Sequence, residues 1–340
     1  MSEKIRPVKA SDLFQLQELY KKRKCVPELN WLLQDPDVPD KLNGYVAENK
    51  EGRIVGMIGF ISSIYKYGDN EIVGVIPMSW KIEDGYKGLA GIQLFKKVLQ
   101  HGEFNLTIEG SEIAQSMYSM FGLTNIGYSH TCMKLIKPLK YYLTLENKSL
   151  YKRIGNLTIM LQSYIKRTPK LKNILKIKEV DVNSVNKDIP YIHKTYMEKY
   201  MTANFIKWLL NCPVNESYGF EIFKDEAFIG YSVCYIHKIN NKYNRGRIVY
   251  MPNFGHNWLQ ARELIAYLTR FLQQKGCVSI SLSLMDRDLL KVTKASSYID
   301  YTLKDKPIFV KPSNILETLG VDVNKWYMQY TEGDKAYRNI

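Results

Sequence analysis

The stretch Ile82-Glu83-Asp84-Gly85-Tyr86-Lys87-Gly88-Leu89-Ala90-Gly91-Ile92-Gln93-Leu94 decides how the chain is read. It joins a strand-like run, Ile72 to Ile82, to a helical pattern over about residues 89–101. Small residues Gly88, Ala90 and Gly91 at such a junction let a ligand approach the main chain closely. The first N–H groups of a helix have no intrahelical partner. Together with the helix dipole they form an anion site. Lys87 adds a full positive charge, so the segment suits a diphosphate. The same small residues also suit a tight strand-to-helix turn made for packing.

The first half reads as strand, helix, helix, three strands, helix, strand, helix, strand. Ile5 to Val8 is a strand, and Ser11 or Asp12 caps a helix carrying Leu13, Leu16, Leu19 and Tyr20. A short helix around Leu29 to Leu33 stops before Pro36. Tyr45–Glu48 and Ile54–Phe60 form a hairpin, and helices and strands continue to Leu135. The second half repeats this plan: a strand at Ile177–Val180, and helices over Ile189–Tyr200 and Asn204–Leu210. A hairpin follows at Tyr218–Ile222 and Phe228–Val233, then a strand at Arg247–Tyr250. A helix at Trp258–Gln274, a strand at Val278–Leu284 and a helix near Arg287–Ala295 complete it. The expectation is an α/β (α+β) fold of two similar lobes, each a mixed, mainly antiparallel sheet flanked by helices. Residues 1–150 form the first lobe and 176–340 the second. Between them, 151–175 carries Lys152, Arg153, Lys166, Arg167, Lys170 and Lys172 without an acid, and reads as a basic linker helix.

Composition sets limits on function. The chain has 340 residues, 45% of them hydrophobic, and a formal charge of +14. Such a charge attracts nucleic acid, phosphorylated ligands or anionic headgroups, although a lysine-rich composition gives it without any partner. No apolar run is long enough to span a membrane, and the N-terminus lacks a secretory pattern. Five scattered cysteines, with no CxxC pair, argue for reduced thiols and a cytoplasmic protein. Dispersed histidines make a metal site unexpected. The 25 tyrosines do not alternate with Arg and Lys as a single-strand stacking groove requires.

Two segments together carry a family resemblance. Ile82 to Ile92 resembles the coenzyme-binding motif V-x-P-E-Y-R-G-x-G-x-G of the GNAT superfamily of N-acyltransferases. Ile82 stands at the valine, Tyr86 at the tyrosine, Lys87 at the arginine, and Gly88 and Ala90 at two small positions. Asp84, Gly85 and Ile92 depart from it, with Gly91 adjoining the last glycine. Lysine for arginine keeps the charge and loses the planar fork. Downstream, Ala114-Gln115-Ser116-Met117-Tyr118-Ser119-Met120-Phe121-Gly122-Leu123 resembles the family's A-x-x-x-Y-x-x-x-G-F ending, with Leu123 departing from the phenylalanine.

The resemblance implies an acyltransferase using acetyl-CoA or another acyl-CoA. Ile82, Lys87, Gly88, Leu89, Ala90, Gly91 and Ile92 are its implied coenzyme contacts, and Tyr118 its implied general acid. A phenol, with an ordinary pKa of about 10, can protonate a departing thiolate. Glu83 and Glu109 are the carboxylates nearest in sequence, and either reads more readily as a surface charge than as a base. The implied acceptor is a small-molecule amine. An amino sugar on a nucleotide carrier, as in cell-envelope precursors, suits a basic cleft. Amino acids, aminoglycosides and protein lysines stay open.

In the second lobe, Met251 to Trp258 has one glycine and bulky side chains, as if the cofactor loop were lost. His256 there is either an acceptor-site base or a solvated loop histidine. Two other readings stand beside the main one: a Fem-type transferase using aminoacyl-tRNA, and a non-catalytic GNAT-like ligand-binding protein.

Overall fold

The computed structural model describes residues 3–21, 25–86, 88–143, 168–239, 242–300, 306–311, 314–318 and 326–329. Lys87 and residues 151–167 of the expected basic linker helix lie outside them.

Alternating apolar residues pair the first half into one sheet. Its order is β1 (Lys4–Pro7), β2 (Gly44–Glu48), β3 (Ile54–Tyr67), β4 (Asn70–Ile82), β5 (Phe104–Ile108), β15 (Pro307–Lys311) and β6 (Thr124–Tyr128). The second sheet runs β8 (Lys176–Val180), β10 (Glu216–Lys224), β11 (Ala227–Ile239), β12 (Tyr243–Tyr250), β13 (Cys277–Leu284), β7 (His130–Leu135) and β14 (Ile299–Asp300). Along both paths neighbours are antiparallel, except β4 with β5 and β12 with β13. The two sheets therefore share one plan.

They also exchange a strand. β15, late in the sequence, lies between β5 and β6. β7, from the first half, lies between β13 and β14. Each half of the chain thus completes the other's sheet in the same slot.

Helices cover both faces of each sheet. In the first lobe, α1 (Leu13–Leu19) and α2 (Val26–Leu33) bury Leu13, Leu16, Leu29 and Leu33 against Val46, Ile54 and Met57. On the opposite face, α3 (Leu89–Val98) sets Leu94, Phe95 and Val98 against Val55, Ile58 and Val75. α4 (Glu112–Met120) joins that core through Tyr118. α5 (Pro138–Leu143) follows β7. In the second lobe, α6 (Ala203–Leu210) packs on Val233, Tyr235 and Val249. α7 (Trp258–Gln274) and α8 (Arg287–Ala295) cover Cys234, Ile236, Ile248 and Ile280 on the other face. The lobes meet where Trp31, Leu32, Ile61 and Met78 join Phe205, Trp208, Tyr235 and Val249 in one apolar cluster.

One expected helix is corrected. Ile189–Tyr200 is not helical: its end forms β9 (Met197–Lys199), pairing Lys199 with Tyr65 and Glu198 with Lys66 of β3. Beyond Gly59, β3 outruns β2 and offers an open edge, which an extended segment satisfies better than a helix. β16 (Trp326–Tyr327) extends this pairing as a parallel neighbour of β9, and α9 (Asn314–Thr318) precedes it.

Among the described residues no helix is long and apolar enough to cross a membrane, and no group of three or more His, Cys, Asp or Glu could hold a metal. All five cysteines are free thiols, four of them buried.

Candidate active site

A gap between β4 and β5 organises the site. The two strands pair only at Gly74 with Phe104 and Val75 with Asn105. Beyond that, β5 takes β15 as its neighbour and β4 keeps β3 alone. A register shift opposite Met57–Gly59 marks a bulge in β4, where Ser79 adopts a left-handed φ of 52°. Tyr20 fixes the bulge by donating its hydroxyl to the Ser79 carbonyl. Main-chain groups of β4 from the bulge to Ile82 thus border a gap where a carbonyl oxygen could be polarised.

At the end of β4, Asp84–Tyr86 forms a single 3₁₀ turn and α3 begins at Leu89. Gly88 stands at the N-cap with φ 112° and ψ −107°, a conformation closed to residues with a side chain. A methyl group there would meet nothing within 4 Å, so its outer side is open. No side chain caps α3 among the described residues, while Ser111, Thr202, Asn257 and Asp286 cap α4, α6, α7 and α8. The first amides of α3 are therefore left for another acceptor.

The three small residues divide into two roles. Gly88 faces outward. Ala90 and Gly91 turn onto the sheet, where a methyl on Gly91 would come within 2.8 Å of Ile82 Cδ1. Gly91 serves close helix–strand packing, and Gly88 alone has the open side that the sequence reading gave to all three. Leu89 is 54% exposed and Ile92 is half-buried. Ile92 donates its N–H to the Gly88 carbonyl at 3.1 Å.

Tyr118 lies in the same apolar cluster as Trp80 and Ile82 of β4. Its ring packs on Phe95 of α3 and Phe309 of β15, each at 5.4 Å between centroids. Its hydroxyl points at Gly110, just past β5, where a methyl would stand 2.9 Å away. The spacing from tyrosine to glycine follows from helix termination. Gly122, at φ 78°, lets Leu123 donate to the Tyr118 carbonyl and Gly122 to that of Ser119, both at 3.0 Å. The structure thus brings Ile82, the α3 terminus and Tyr118 together. Phe309 was missed because nothing local ties residues 307–311 to the first lobe.

The two nearest carboxylates are engaged. Glu83 pairs with Arg53 at 2.8 Å, and Glu109 with Lys306 at 3.1 Å.

The corresponding loop of the second lobe is packed by side chains from other segments of the chain. Asn257 Oδ1 accepts from Gln260 N at the start of α7. Gln329 accepts from Met251 N at 2.9 Å and donates to its carbonyl at 2.7 Å. Tyr327 donates to Pro252 O, and the His193 ring fills the space beside Gly255. His256 lies edge-on to Tyr196 and Trp258.

Solved structures share this architecture. A GCN5-related N-acetyltransferase from Anabaena variabilis superposes with a TM-score of 0.59 at 11% identity, over 94% of this chain and 74% of that one. The N-myristoyltransferase of Saccharomyces cerevisiae, with bound myristoyl-CoA, gives 0.59 at 9% identity, over 91% and 82%. The fold is a tandem GNAT fold. No protein-family model and no curated protein sequence matches the chain. At these identities the likeness is one of architecture. In the tandem GNAT arrangement seen here, the first lobe has the splayed strands and uncapped helix, and the second has a loop covered by side chains from elsewhere in the chain.

Proposed function

We propose that the chain is an acyl-CoA-dependent N-acyltransferase whose first lobe, built mostly from the first half of the chain and completed by β15, holds the thioester. The carrying observation is the juxtaposition of three features: the β4–β5 gap, the open uncapped start of α3, and Tyr118 in the cluster that joins them. The amides of Leu89, Ala90 and Gly91 would bind the coenzyme diphosphate, with Gly88 giving access and Lys87 adding charge. Ile82 and Ile92 flank that cradle. Support also comes from the myristoyl-CoA bound by the yeast neighbour.

A neutral amine attacks the thioester carbonyl, and main-chain N–H groups of β4 stabilise the oxyanion. As the tetrahedral intermediate collapses, the C–S bond breaks and the Tyr118 hydroxyl protonates the thiolate. The amine proton leaves to solvent or to a base. Glu83 and Glu109 are held by cations, so neither is assigned that role. The acceptor we favour is an amino sugar or related cell-envelope precursor, on the strength of the basic charge.

The test is a thermal-shift panel with acetyl-, succinyl- and longer acyl-CoA on wild type and Lys87→Glu. At least one thioester should stabilise the wild type, with most of the shift lost in the variant. No shift with any thioester sinks the proposal, and salt-sensitive tRNA binding in its place would point to an aminoacyl-tRNA donor.

A further inference from the structure

We propose that the acceptor is anchored by an anionic group, phosphate or carboxylate, at His237, Arg245, Arg247 and Ser279 on the second sheet. The assignment to an acceptor rests on the acyl-transfer reading above. The anion site itself does not.

Strand register puts all four side chains on one face. His237 of β11 stands opposite Arg245 of β12, and Tyr235 opposite Arg247. Across the parallel pair, Arg245 stands beside Ser279 and Arg247 beside Ser281. Direct cross-strand neighbours have Cβ atoms about 5 Å apart, so the groups converge. The opposite face of these strands is the apolar one, carrying Ile236, Ile248 and Ile280 under α7.

On this face His237, Arg245 and Ser279 each carry a polar atom without the partner that burial demands. His237 is 4% exposed, and neither ring nitrogen has a hydrogen-bond partner. The buried Nε of Arg245 and the Oγ of fully buried Ser279 have none either. Among the described residues no carboxylate forms an ion pair with Arg245, whose guanidinium lies over the Tyr141 ring at 5.6 Å. Buried groups in this state cost free energy unless something completes them. Burial and the charges of Arg247 and Arg245 hold the His237 imidazole down at about 3, so at neutral pH it is uncharged, with one donor and one acceptor nitrogen. Cations, a neutral imidazole donor and a hydroxyl on one face are what a phosphate or carboxylate binds.

Location connects this face to the transfer site. Tyr235 and Val249 belong to the same apolar cluster as Met78 and Ile61 of the first lobe. Met78 immediately precedes the Ser79 bulge at the β4–β5 gap. His237 and Arg247 are each one same-face step, about 6.6 Å, further along those strands. An acceptor held there by its anion would lie beside the gap.

The test needs no thioester. In protein with ¹³C-labelled histidine, the His237 ring resonance, assigned with His237→Gln, is followed during separate titrations with inorganic phosphate and with succinate. We expect a saturable shift with at least one anion, weakened at least tenfold in Arg245→Gln and in Ser279→Ala. Which anion binds distinguishes a phosphorylated from a carboxylated acceptor. No saturable shift with either anion, or equal binding in both variants, overturns the site. Anion binding without any acyl-CoA binding would instead count against the transfer reading.

Discussion

Trp31 and Trp208 stack with ring centroids 4.6 Å apart and planes 11° from parallel, and each donates its indole N–H to the other's main-chain carbonyl, at 2.8 and 2.9 Å. They belong to α2 and α6, helices that occupy like positions in the two lobes. The reciprocal contact therefore marks an approximate two-fold relation between them. Truncating either indole opens a cavity and removes a buried hydrogen bond to its partner's carbonyl. Trp31→Ala or Trp208→Ala should each cost about 3–5 kcal/mol in urea unfolding. The double variant should cost clearly less than the sum, by about 1–3 kcal/mol, because each residue's value depends on the other. Additive losses would show that the stack does not couple the lobes.

Leu89 separates the helix terminus as a structural feature from its use as a ligand site. It is exposed at the first position of α3, where an acidic side chain complements the helix dipole. Leu89→Glu should keep or raise stability, by about 0.3–1 kcal/mol. The same carboxylate would repel a diphosphate, so acyl-CoA affinity should fall about tenfold or more, on the order of 1.4 kcal/mol. Calorimetric titration beside thermal melting reads both signs. Unchanged affinity would place the coenzyme elsewhere.

Tyr118 is testable through its hydroxyl alone. Tyr118→Phe keeps the ring on Phe95 and Phe309 and should leave stability within about 1 kcal/mol. If the phenol protonates the thiolate, kcat should fall by about 10²–10⁴ while the KM for the thioester stays nearly constant. A raised KM with kcat nearly unchanged would instead give Tyr118 a role in binding.

What the sequence disclosed was whatever short-range physics determines. Trp258–Gln274 and Arg287–Ala295 read to the residue, because a capping Asn257 or Asp286 precedes a strong helical period. Gly122, read in the sequence only as the motif glycine, ends α4 through its left-handed φ of 78°, again a local effect. What stayed hidden was pairing across the chain. Residues 307–311 become a strand of the first lobe only because β5 and β6 leave a slot, and β7 leaves the first lobe to fill the matching slot in the second. The self-exchange places Phe309 against Tyr118, so part of the candidate site comes from the far end of the sequence. Small residues gave a similar ambiguity. Gly88 and Gly91 look alike in the motif, and only the neighbouring Ile82 side chain separates the open one from the packed one.

Glu198 gives the fold a pH dependence with a defined sign. It lies in β9, against the second lobe's loop, and accepts from Asn253 Nδ2 at 2.8 Å. Burial pushes its carboxyl from an ordinary 4.5 up to about 7, against the opposing effect of the Asn253 bond. The folded state therefore holds this proton more tightly than the unfolded chain does. Its stabilising contribution is complete below about pH 4.5 and is lost as pH rises through about 7. A displacement of that size is worth on the order of 3 kcal/mol across the interval. Glu198→Gln mimics the protonated form and keeps an acceptor for Asn253. Unfolding midpoints of variant and wild type should coincide near pH 4.5 and diverge above it, the variant becoming the more stable by pH 8. A wild type that gains on the variant as pH rises would mean that the ionised carboxylate, bonded to Asn253, is the form the fold prefers.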